Sequence, residues 1–223
     1  MNGVAKAQVG VIRIMCLDPH ELMLAGLGMR FGEEPDMEVA SLTNDPEQVI
    51  GILARERPGV LVTEIEIEGV NMFGLIARIA RHHPETRTVV YTARPRSTCA
   101  EAAFAAGAIG FFSKSDPPDQ LVAGVRAAPY AESRLLGSTI RAALESSDVA
   151  PDGAIGSIAR LTRREVEVLC LIGRGMSRVE VAATIRRSPK TVDAHRSSIM
   201  SKLGFTDRVQ LARFAIREGL VSI

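Results

Sequence analysis

Residues 161–204 read LTRREVEVLCLIGRGMSRVEVAATIRRSPKTVDAHRSSIMSKLG. Two capping boxes punctuate this stretch, Thr162 with Glu165 and Ser177 with Glu180. In each, a hydroxyl and a carboxylate three residues apart satisfy amides that a helix start leaves open. The first box opens a helix with apolar positions Val166, Leu169 and Ile172, ended by Gly173 or Gly175. The second opens a short helix reaching Ile185, and Arg186-Arg187 forms a turn. Ser188 then caps a third helix with Pro189 at its first position, where a missing N–H is harmless. Gly204 stops it, and a fourth helix covers residues 207–218. A short helix, a tight turn and a longer helix form the helix-turn-helix pattern.

At 100° per residue, Val192, Ile199 and Leu203 of the third helix fall within about 20° of one another and mark its buried stripe. Lys190, Ala194, Ser197 and Ser201 lie opposite, Asp193 sits at one edge, and His195 and Arg196 flank the stripe. A small, polar face beside cations suits entry into a DNA major groove. Short side chains permit close approach there, and flanking cations meet phosphates. The competing reading is a solvated helix face with incidental charges.

Working outward, the whole chain of 223 residues has a formal net charge of +1, which by itself argues against a nucleic-acid binder. The charge is unevenly placed. Residues 154–223 carry +7 and residues 1–153 carry −6. A small basic unit joined to a larger acidic one suggests a polyanion partner for the basic end.

Upstream the pattern changes. Short apolar runs at 11–17, 37–42, 59–63, 87–92 and 108–112 alternate with helical patterns at 20–31, 45–55, 71–82, 96–106 and 116–128. This alternation predicts an α/β unit, a five-stranded doubly wound parallel sheet of the flavodoxin type, with its site at the carboxyl ends of the strands. The expected organisation is this unit over residues 1–128, a linker with a short helix over 129–157, and a small all-α domain over 158–223. The stretch SSDVAPDGAIGS is polar and contains Gly and Pro, as linkers do.

No segment approaches the roughly 18 apolar residues of a membrane span, and no leader pattern is visible. The reading is therefore cytoplasmic, without membrane contact. Cys16, Cys99 and Cys170 show neither metal-ligand spacing nor a disulfide framework, so reduced thiols are expected. A redox role for Cys16 or Cys99 is the rarer alternative to plain burial. Trp is absent and aromatics make up 4%, which disfavours an aromatic-lined ligand pocket.

The motifs LTxRExEVL and SPKTVxxHRxxIMxKL, in register over about residues 158–223, resemble the LuxR-type helix-turn-helix of NarL/FixJ transcription regulators. The resemblance makes 188–203 the recognition helix, with Asp193, Ala194 and Ser197 facing bases and Lys190, Thr191, His195 and Arg196 at the DNA backbone. Asp193 stands where some members carry Lys. It either accepts from a cytosine amino group or pairs locally with Lys190. The fourth helix would be the dimer surface through Val209, Leu211 and Ala212. The implied partners are a second copy and double-stranded DNA with an inverted-repeat site.

Residues 11–128 resemble the receiver domain of two-component response regulators, through IRIMCLDPHELMLAGL, RPGVLVTEIEIEGVNMFGLIARI, VVYTA and GFFSK. The resemblance implies an acidic pair after the first strand, a phosphoryl-accepting Asp after the third, a hydroxyl after the fourth and Lys after the fifth. Asp18, Thr92 and Lys114 match, and Phe111 takes the aromatic switch position. Pro19 replaces the second acid and Glu64 the acceptor. Proline offers no metal ligand, and the longer glutamate can partly imitate an acyl phosphate. The expectation is a degenerate receiver outside normal aspartyl phosphorylation. It is either held active by Glu64 contacting Lys114 and Thr92, or silent. Glu64, Glu66 and Glu68 together read as a solvated acidic loop rather than a cation site. The rivals are a conventional phosphorylation-switched regulator and an interaction module docking a kinase or another regulator. With no nucleophile, base and orienter together, neither enzyme activity nor a metal or other cofactor is expected.

Overall fold

Strand β1, Ile12–Leu17, is apolar except for Arg13 because both faces of the sheet are covered. Ile14 and Cys16 pack on one side, and Met15 and Leu17 on the other. Around β1, the computed structural model, which describes residues 10–145, 158 and 160–221, builds an all-parallel sheet in the order β2-β1-β3-β4-β5-β6. The other strands are β2 Met37–Thr43, β3 Val60–Thr63, β4 Arg87–Thr92, β5 Gly110–Ser113 and β6 Leu135–Leu136. The sheet thus has six strands rather than the five read from the sequence. The sixth is only two residues long and pairs with β5 beyond a 3-10 turn at Ala128–Tyr130.

Helices α1 (Glu21–Gly32) and α5 (Pro118–Ala127) cover one face of the sheet, packing Leu24, Leu27, Phe31 and Val125 on it. Helices α2 (Val49–Glu56), α3 (Met72–His82) and α4 (Ser97–Ala106) cover the other. Helix α6 (Ser138–Glu145) follows β6. The stretch SSDVAPDGAIGS lies outside the described residues. No described helix is long and apolar enough to cross a membrane.

Gly124 shows how tightly α5 is set. A Cβ there would stand 2.2 Å from Cζ of Phe112. Gly124→Ala is expected to destabilise the chain by about 1–3 kcal/mol through overpacking. Urea denaturation measures this, and an unchanged midpoint would mean the Phe112 ring has room to move.

The C-terminal helices are α7 (Arg163–Gly173), α8 (Arg178–Thr184), α9 (Pro189–Leu203) and α10 (Arg208–Arg217). Their core, with Val166, Leu169, Ile199 and Phe214, runs without a break into the core under α2–α4. The bridge is α7, which packs on α3 and α4. At its edges the Thr98 hydroxyl donates to the Glu218 carbonyl at 2.8 Å, and Arg174 donates to the Gly69 carbonyl at 3.1 Å. Residues 98–104 and 106 of α4 are consequently buried, and this arrangement leaves no apolar face of α4 open to a second copy.

Candidate nucleic-acid interface and receiver pocket

The helix-turn-helix is fixed by local bonds that the sequence announces. Both capping boxes form. Glu165 N–H donates to Thr162 and Thr162 N–H to the Glu165 carboxylate, and Ser177 and Glu180 do the same. Ser188 accepts from Thr191 N–H at 3.2 Å, Pro189 opens α9, and Gly204 closes it at φ +70°. Arg186, in the turn, adopts φ +51°, a left-handed conformation uncommon outside glycine.

Glu165 does more than cap. Its carboxylate also accepts from Ser198 at 2.7 Å and Lys202 at 2.6 Å, so one buried acid ties α7 to α9. Burial alone would raise its pKa. The Lys202 ammonium, the Thr162 amide and the Ser198 hydroxyl overcome this and hold it at about 2.

On α9, Val192 and Ile199 are buried and Leu203 packs against the core, as the periodicity predicts. Lys190, Ala194, Ser197 and Ser201 are exposed, and Thr191, Asp193, His195 and Arg196 are half-buried. Docking on α7 thus leaves the outer face of α9 free. Asp193 does not pair with Lys190. It meets Arg178 of α8 at 3.0 Å and Arg196 at 3.4 Å. The acid therefore orients two guanidinium groups beside the exposed face. Arg178 is a residue the sequence reading missed, because its partner lies 15 positions away.

On α10, Val209 is exposed and Ala212 half-buried, but Leu211 is buried. Its placement on a dimer surface is corrected, since it points into the domain core with Phe214 and Ala215. Leu211, Phe214 and Ala215 repeat at the i, i+3, i+4 spacing of a buried stripe, a signal present in the sequence.

At the carboxyl ends of β1, β3 and β5, Asp18, Glu64 and Lys114 come together. The Lys114 ammonium pairs with Asp18 Oδ2 and, at 3.0 Å, with Glu64 Oε2. Glu64 is 4% exposed, so its reading as part of a solvated acidic loop is overturned. Its Oε1 accepts from the amides of Ile65 (2.7 Å) and Glu66 (3.1 Å), and its Oε2 from that of Ala93 (3.2 Å). Glu68 is exposed, and Glu66 is half-buried against Arg94. Burial alone lowers the Lys114 pKa, and the two carboxylates more than reverse this.

The Thr92 hydroxyl is within bonding range of the Arg94 amide at 3.3 Å rather than reaching Glu64. Phe111 is fully buried against Phe104, with ring centroids 6.4 Å apart. Pro19 is half-buried and carries no side-chain oxygen. A divalent cation does not fit this donor set. Asp18 and Glu64 are both already paired with Lys114, and among the described residues no three His, Cys, Asp or Glu side chains gather as ligands.

Asp116, which the sequence reading passed over, is buried. It accepts from Ser113 N–H and from Ser138 and Thr139, tying β5 to α6. The three cysteines are free and buried, and burial pushes the Cys99 and Cys170 thiols up to about 12. Thiolate, the reactive form, is therefore scarce.

Residues 14–126 match the response regulator receiver domain family, and residues 159–215 match the family described as bacterial regulatory proteins, luxR family. The chain is 27% identical over 212 residues to transcriptional regulatory protein LiaR of Bacillus subtilis (strain 168), covering 95% of this chain and 100% of that one. It is 25% identical over 210 residues to response regulator UvrY of Escherichia coli (strain K12), covering 94% and 96% respectively. Among solved structures it resembles RcsB from Salmonella enterica serovar Typhimurium bound to promoter rprA in the presence of phosphomimetic BeF3-. The TM-score there is 0.67 at 25% identity, covering 92% of this chain and 98% of the other. With its two segments matched in this order, the chain belongs to the response regulators of the LuxR family, a receiver domain joined to a LuxR-type helix-turn-helix.

Proposed function

We propose that this protein is a dimeric, sequence-specific DNA-binding transcription regulator whose receiver is not controlled by normal aspartyl phosphorylation. The observation that carries the second half is the Glu64 carboxylate. Three backbone amides and Lys114 already occupy its oxygens, as they would those of a bound anion. A carboxylate so engaged is a poor nucleophile toward phosphorus, and Pro19 with the Asp18–Lys114 pair leaves no set of oxygens for Mg²⁺. Glu64 thus acts as a permanent, weaker stand-in for the phosphoryl charge.

The exposed Lys190, Ala194 and Ser197 on α9, with Arg196 held beside them, support groove binding. The similar RcsB, solved on promoter DNA, supports it too. Val209 and Ala212 on α10 are the residues offered to a second copy, and the site read would be an inverted repeat.

Mobility shifts on promoter DNA test the reading. The protein, incubated with labelled acetyl phosphate and Mg²⁺, is expected to take up no label and to keep its DNA affinity. The double variant Glu64→Asp with Pro19→Asp is expected to gain label and to bind more weakly before labelling. Uptake by the unaltered chain that changed its dimerisation or DNA affinity would refute it. Arg196→Ala should weaken binding on every sequence, whereas Ser197→Ala should shift preference at one base position.

A further inference from the structure

Where α3 meets the start of the helical domain, the two units leave an open cleft of about 1320 Å³. Its charge is one-sided. Seven arginines and two glutamates line it. The receiver side supplies Arg78 and Arg81 from α3, and the other side supplies Arg163 and Arg164 from α7 and Arg186 and Arg187 from the turn before α9. Some of this charge is already used: Arg164 pairs with Glu167 and donates to the Ile185 carbonyl, and Arg174 donates to Gly69. Among the described residues, however, no carboxylate pairs with Arg78, Arg81, Arg163, Arg186 or Arg187. Five guanidinium groups without a carboxylate partner, one of them donating to the His82 ring, are brought to one cleft from two domains, and a shared anion would relieve their mutual repulsion.

We propose that this interdomain cleft binds a small ligand carrying a chain of two or more phosphates, either inorganic polyphosphate or a nucleoside polyphosphate. Guanidinium is the group best shaped for such oxygens, because it offers paired N–H donors and keeps its charge at any ordinary pH. The volume admits a nucleotide with its phosphates. The buried side chains of Leu75, Leu171 and Ile185 give the cleft an apolar floor. No Phe, Tyr or Trp lines it, so nothing is placed to stack on one base in preference to another. Since the cations come from both units, the bound anion would fasten α3 to the helix-turn-helix, with Arg187 adjoining the cap of the exposed helix α9. The inference is independent of the reading of Glu64, which none of these residues touches.

Calorimetric titration of the full chain at 150 mM salt with sodium tripolyphosphate, ATP and GTP tests it. One site per chain is expected, with ATP and GTP binding alike within about threefold. Arg78→Glu with Arg81→Glu should weaken all three by at least tenfold, and Arg81→Lys should keep most of the affinity. Circular dichroism checks that the variants fold, and Arg81→Gln substitutes if the double reversal does not. Nucleotides binding more tightly than tripolyphosphate would assign a nucleotide as the source, and equal affinities would assign free polyphosphate. Absence of binding by all three up to millimolar concentration would overturn the proposal, as would binding indifferent to the double reversal. A double reversal that lowered only promoter affinity, with no small anion bound, would assign the cleft to the DNA backbone and equally overturn it.

Discussion

Glu165→Ala is expected to cost about 3 kcal/mol of stability and to flatten the acid limb of the stability profile. The carboxylate is 4% exposed and accepts from Lys202, Ser198 and the Thr162 amide. Its removal leaves an orphan amide at the start of α7 and a cation, Lys202, without its partner. Loss of the cap alone is worth roughly 0.5–2 kcal/mol, and the stranded cation adds to it. The pH dependence has a definite sign. The folded-state pKa lies at about 2, below the ordinary 4.5. The stabilisation is therefore present above about pH 4.5, the unfolded-state value, and disappears as pH falls through about 2. In Glu165→Ala that slope should vanish. For one cooperative unit of this size the loss corresponds to a fall of roughly 6–12 °C in Tm. Thermal melts from pH 2 to 7 measure both quantities. If Glu165→Gln matched the native profile, the carboxylate charge would not be what joins α7 to α9.

The helical domain was legible in the sequence for the reason its caps are strong. A capping box is satisfied within four residues, so Thr162–Glu165, Ser177–Glu180 and the Ser188-Pro189 start need no tertiary information. The parallel sheet was legible because strands buried on both faces must be mainly apolar, as β1 is but for Arg13 and β3 but for Thr63. Strand β6 was not. Two leucines between Arg134 and Gly137 carry no period, and their pairing depends on β5 more than twenty residues earlier.

The candidate sites divide along the same line. Which faces of α9 are open follows from rotation alone. That Asp193 is held by Arg178, or that Glu64 is buried rather than solvated, depends on residues distant in the chain. Glu64, Glu66 and Glu68 look alike by spacing. Only the fold shows that the first sits over Lys114, the second reaches Arg94 and the third faces water. The basic cleft was invisible for a like reason, since its arginines come from α3, α7 and the turn after α8.

Lys114→Met is the complementary test at the receiver pocket. The ammonium compensates two carboxylates at once, Asp18 at 1% exposure and Glu64 at 4%. Removing it leaves two buried like charges facing each other, and taking away one partner of a buried ion pair typically costs about 3–5 kcal/mol. Urea denaturation should show the variant far less stable than the native chain at pH 8. Adding Glu64→Gln to Lys114→Met should recover part of the loss at pH 8, because one of the two uncompensated charges is gone while the amides of Ile65 and Glu66 keep the amide oxygen as acceptor and only that of Ala93 loses its partner. A Lys114→Met chain as stable as the native one at pH 8, and indifferent to Glu64→Gln, would mean that water rather than Lys114 satisfies the pocket. The stand-in role of Glu64 would fall with it, since that role requires its charge to be held by the ammonium and not merely tolerated beside it.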